Sequence, residues 1–175
     1  MPRELISFDG VTRRVFITSS IISGTILVLM PQYSISPIDI KPFKIIQAIQ
    51  DVLFPKGLEA PSALEFGATN YLLRVSSHSS FVEFDLKFLI YGTNLLIEEE
   101  RDFLSMNAID KDKALKNFIS KSQKNKNWLS LLLYYTIEAL LSDPIYGGNR
   151  DELGWRWLGH HSGKPKPQKP FGEIV

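Results

Sequence analysis

The 175-residue chain contains no cysteine, which excludes disulfides, thiol nucleophiles, cysteine-ligated iron–sulfur clusters and thioether-attached haem. Histidine is scarce. His78 sits in a serine-rich run, where a solvated ring is the default, and the adjacent His160 and His161 have no His-x-x-His spacing and no carboxylate companion at ligand spacing. No glycine-rich loop follows a strand, and "YGGN" at 146–149 lacks the spacing and the lysine of a phosphate-binding loop. An excess of one charge is missing too. A net charge of +1 gives no long-range field to recruit nucleic acid. The six lysines between Lys111 and Lys126 keep company with Asp110 and Asp112, and the one aromatic among them, Phe118, falls on the inward side of its helix and is not free to stack. Pairs of alternating strands are absent as well.

What is present at 44% apolar and 22% charged residues is one ordinary globular core behind a leader. The leader reads "TRRVFITSSIISGTILVLM" from Thr12 to Met30, with Arg13 and Arg14 ahead of an apolar run diluted by serine, threonine and glycine. As a helix its roughly 16 uncharged residues reach about 24 Å, short of the ~30 Å hydrocarbon core. Arg13, Arg14 and Phe16 follow the Ser/Thr-Arg-Arg-x-Phe-Leu pattern of twin-arginine signals, with Ile17 in place of leucine. The alternative is a pair of positive-inside charges before a short anchor at 15–30. Either reading places the body in the periplasm, free or held at the inner membrane, and residues 1–36 form the signal or uncleaved anchor. Removing them takes away Arg3, Arg13, Arg14, Glu4 and Asp9 and leaves an electrically neutral body at 37–175.

That body is expected to be all-α, a bundle of about five helices with an irregular C-terminal segment at 142–175. Spacing predicts a first helix over 42–54, stopped by Pro55 and Gly57. A second runs from a capping box at Ser62 and Glu65 to about Val75. A third, over 82–105, places Phe84, Phe88, Tyr91 and Leu95 on successive turns, with Gly92 a weak spot. A fourth opens at Asp110 and turns Ala114, Leu115, Phe118 and Ile119 inward. The fifth, "WLSLLLYYTIEALL" from Trp128 to Leu141, is apolar round nearly its whole circumference and is expected to be a hub buried on several sides. Its one charge, Glu138, calls for a partner such as Arg150 or Arg156.

The stretch "SDPIYGGNRDELGWRW" from Ser142 to Trp157 is built for backbone control. Asp143 and Pro144 end the helix, and Gly147 and Gly148 permit positive φ, holding Tyr146 and Asn149 at the rim of a tight reversal. Trp155 and Trp157 face opposite ways if extended, one inward and one outward beside Arg150 and Arg156. That composition marks a protein interface, the alternative being that both tryptophans only close the end of the bundle. Tyr146, Gly147, Gly148, Asn149, Arg150, Trp155 and Trp157 are the candidate contact residues. The competing reading is an independent small periplasmic enzyme or metal-binding protein using Glu138, His160 and His161.

"EALLSDPIYGGNRDELGWRWLGHHSGKPKP", together with the leader and "AIQDVLFP" at 48–55, resembles subunit 3 of the gluconate 2-dehydrogenase family, the small subunits of membrane-bound FAD-dependent sugar dehydrogenases. The resemblance implies a non-catalytic accessory chain with no cofactor of its own. It implies a large FAD-binding partner subunit, a cytochrome c to pass electrons on, and the twin-arginine translocase as carrier of the folded complex. This sequence departs from the family pattern in its poor cleavage site and in the basic, polar "HHSGKPKP".

Overall fold

The computed structural model describes residues 40–57 and 59–170. Among them are seven helices and no strand: α1 Ile40–Leu53, α2 Ala63–Phe66, α3 Ala68–Ser76, α4 Glu83–Glu99, α5 Ala108–Ser120, α6 Gln123–Leu141 and α7 Leu153–Trp157. The all-α expectation holds, and the two helices beyond the expected five are short. α1 buries Phe43, Ile45, Ile46 and Ile49, and the chain turns away through Phe54 and Pro55 to Gly57 at φ 93°.

The second expected helix is two. Ser62 and Glu65 do form the capping box, but Gly67 adopts a left-handed φ of 78° and breaks the run into α2 and α3. A Cβ at Gly67 would lie 3.2 Å from the Gly147 carbonyl oxygen, so the break also admits the C-terminal turn against α2 and α3.

In α4 the buried face is not the aromatic row of the sequence pattern. Leu89, Gly92, Thr93 and Leu96 are buried, whereas Phe84, stacked on Phe88, is 71% exposed and Tyr91 is exposed beneath Lys124. Nor is Gly92 a weak spot. A Cβ there would come within 2.3 Å of the Trp128 ring, so the glycine is the slot that lets the indole reach α4 and donate to the Leu89 carbonyl at 3.0 Å. Size, not propensity, selects this residue.

α5 starts two residues before Asp110, capped by Asn107, whose side chain accepts from the Asp110 amide at 3.0 Å. Ala114, Leu115 and Phe118 are buried as expected, with Ile119 half-buried. α6 starts earlier than predicted because Ser122 caps it, accepting from the Asn125 amide. It touches all six other helices and is the hub. Thr136 on α6 accepts from Gln50 of α1, which in turn accepts from Thr69 of α3. This buried chain satisfies its own polar atoms and pins three helices in register. One side of α6 is nevertheless uncovered: Tyr134, Ile137 and Leu141 are 58%, 40% and 42% exposed, which corrects the expectation of burial all round.

Candidate functional site

After α6 the chain folds straight back onto that helix's last turn. Asp143 accepts from the Ile145 amide at 3.0 Å, Pro144 opens a single 3-10 turn, and Gly147 closes it at φ 90° with its amide on the Pro144 carbonyl. Gly148 plays a different part from the one expected. It is buried without a positive φ, and a Cβ there would sit 2.4 Å from the Ala139 carbonyl oxygen. Gly154 is tighter still, with 2.0 Å to the Leu140 carbonyl oxygen. The missing side chains let backbone lie directly on backbone.

Asn149 takes the unusual conformation, at φ 42°. Instead of standing at a rim it is fully buried, donating to the Ser142 carbonyl at 2.9 Å and accepting from the Gly154 amide at 2.8 Å. It is the strut of the whole turn. Trp155 and Trp157 lie on α7 rather than on extended chain, and two helical steps of about 100° separate them nearly as well as a strand does. Trp155 is buried and donates its indole N–H to the Leu141 carbonyl at 2.8 Å. Trp157 is 46% exposed, next to exposed Leu158. Of the other candidate residues, Arg150 is exposed and lies by Gly67, while Tyr146 is half-buried. Arg13, Arg14, Phe16 and the anchor run at 15–30 lie outside the described residues. Among those described, no helix is long and apolar enough to cross a membrane.

Beside this turn opens a cleft of about 1090 Å³. Its floor is the uncovered side of α6, with Tyr134, Ile137, Glu138 and Leu141. Tyr71, Arg74 and Val75 of α3 line it too, as do His78, Phe81 and Val82 from the loop before α4, and Tyr146 and Pro170. Glu138 forms no ion pair with Arg150 or Arg156. Its polar neighbour is instead the Tyr71 hydroxyl, whose proton the carboxylate's charge helps to hold, because α3 packs along α6 just there. Tyr135 is hydrogen-bonded outright, donating to Asp85 at 2.6 Å. His160 and His161 do not line this cleft. His160 packs its ring against Trp155, and among the described residues no three His, Cys, Asp or Glu side chains gather to hold a metal ion. The structure therefore does not bring Glu138 and the histidine pair into one site.

Burial pushes the Tyr71 hydroxyl well above the ordinary tyrosine range, and the charge and hydrogen bond of Glu138 push it further. Burial does the same to Tyr135, reinforced by Asp85. Because the folded chain keeps these protons more tightly than the unfolded one, their contribution is intact below pH ~10 and declines as pH climbs above it. In an alkaline titration two tyrosines are expected to ionise only together with unfolding. Full tyrosinate absorbance from a still-folded chain would contradict this environment.

The cleft was missed from the sequence because an apolar stripe on a helix ordinarily reads as core. The signal was there in the spacing of Tyr134, Ile137, Glu138 and Leu141 on one side of α6, with a carboxylate in the middle of the row. No curated protein and no solved structure matches the chain. A family model does, from the first turn of α1 to beyond the end of α7: residues 41–163 match gluconate 2-dehydrogenase subunit 3, and the chain belongs to that family.

Proposed function

We propose that the chain is a non-catalytic subunit of a flavin-dependent dehydrogenase acting on gluconate, a sugar or a polyol. In this reading the FAD and the substrate sit in a large partner subunit, and a cytochrome c takes the electrons onward. The small chain carries its folded partner through the twin-arginine route and stabilises it in the periplasm, free or held at the inner membrane by residues 15–30.

The family supplies the complex. The observation that carries the role is the surface. Trp157, Leu158, Tyr134, Ile137 and Leu141 remain exposed around a described core that leaves no buried side-chain polar atom without a partner. A folded chain with large apolar side chains left outside is shaped to be covered by another protein. Arg156, exposed next to Trp157, adds a cation common at such contacts.

Purified by itself, the full chain is expected to hold no flavin and to turn over neither gluconate nor other sugar acids with an artificial electron acceptor. Recovered from its native host, it is expected to bring an identifiable flavoprotein dehydrogenase in fixed ratio. Turnover by the isolated chain would overturn this reading and restore the rival built on Glu138, His160 and His161.

A further inference from the structure

We propose that the cleft on α6 receives an amphipathic helix of the catalytic partner, which presents one arginine or lysine to Glu138. The inference rests on the accessory-subunit reading and adds the place and the chemistry of the contact.

Tyr134, Ile137, Glu138 and Leu141 stand at positions i, i+3, i+4 and i+7, one continuous stripe of a helix. Such a stripe normally faces a core. Here the helix that touches every other described helix leaves it facing an open channel beside α3. The space suits a helix. Ten residues of α-helix, about 15 Å long and about 10 Å across, occupy roughly 1200 Å³, comparable with the cleft's 1090 Å³. Helix-in-groove recognition uses this arrangement of apolar anchors on successive turns.

Charge fixes the partner's chemistry. Glu138 lies between Ile137 and Leu141 on the stripe, so any segment that covers those two residues also removes the carboxylate from water. The Tyr71 hydroxyl is the polar group set beside that carboxylate, and a buried anion with so little compensation strongly disfavours docking unless a cation meets it. Asp143 adds a second acid to the lining. Arg74 is the one arginine or lysine among the lining residues. Its stem lies against the turn at Gly147, and it forms no ion pair among the described residues. His78 is turned to Ser80, 2.7 Å from its hydroxyl. The incoming helix therefore supplies the positive charge, and the exposed ring of Tyr134 offers it a π face as well.

The test places the photo-crosslinking residue p-benzoylphenylalanine at position 137, and in a second version at 157, in the full chain expressed in its native host. Irradiation is followed by mass-spectrometric mapping of the adducts. The expected result is an adduct from position 137 to a flavoprotein dehydrogenase segment with an arginine or lysine within one helical turn. Glu138→Lys should then lower recovery of the complex roughly tenfold, a loss of about 1.4 kcal/mol, and reversing the mapped cation to glutamate should restore it. Should the lysine variant unfold by circular dichroism, Glu138→Gln reads the same loss without the reversed charge. An adduct to a second copy or to residues 171–175 of the same chain, or no adduct from position 137, overturns the proposal. A flavoprotein adduct from position 157 with none from 137 sinks the cleft and leaves the accessory reading standing; silence from both positions sinks both.

Discussion

Asn149→Ala is expected to destabilise the chain by about 3–5 kcal/mol, a large share of the stability of an ordinary domain. The residue is fully buried, and its amide joins two backbone groups, the Ser142 carbonyl and the Gly154 amide. Alanine leaves both without partners, at about 1–3 kcal/mol apiece. It also has to hold the φ of 42° seen at this position, where a residue without a short polar side chain is strained by roughly 1 kcal/mol. Asn149→Gly separates the two causes, since glycine takes the backbone angle freely but makes neither bond. It is expected to recover about 1 kcal/mol relative to alanine and no more. Urea unfolding with an unchanged slope measures both. A glycine variant as stable as the parent would show that the two hydrogen bonds contribute nothing and that Asn149 is no strut.

Replacing Arg13 and Arg14 together by lysine is expected to cut the flavoprotein activity recovered from the periplasm at least roughly tenfold, with the catalytic subunit accumulating folded in the cytoplasm. Lysine keeps the positive charge. A membrane segment oriented by positive-inside charge alone would therefore be unaffected. A receptor that reads the planar, forked guanidinium is affected, because an ammonium cannot reproduce that geometry. The double variant thus separates the two readings of the leader without touching residues 40–170. Undiminished periplasmic activity would mean that the small chain does not carry its partner out.

The helices were legible wherever capping and spacing speak locally. Ser62 with Glu65 marked where a helix starts, and the apolar spacing of α1 and α5 gave helices that the fold keeps to within two residues at each start. The errors share one cause, which is that tertiary contact decides what a glycine or an aromatic is for. Gly67 breaks a helix because Gly147 has to come close, and Gly92 is a slot for Trp128 rather than a flaw. Neither partner is near in sequence. The aromatic row of α4 left its buried face open, because size and apolarity carry no sign saying which side of a helix is covered. The same ambiguity hid the cleft, since the row on α6 has the composition of an interior and the exposure of a surface. Glu138 was legible as an anomaly and its partner was not, because a tyrosine on another helix leaves no trace in local pattern.

The glycine contacts at the end of α6 make presentation of Trp157 conditional. Trp155 can seat itself on the Leu141 carbonyl only if Gly148 and Gly154 rest on that helix, and α6 is held in place by all its neighbours. A chain whose α6 is not yet packed consequently cannot hold its outer tryptophan in this pose, so the exposed end of α7 is set by contacts made throughout the bundle.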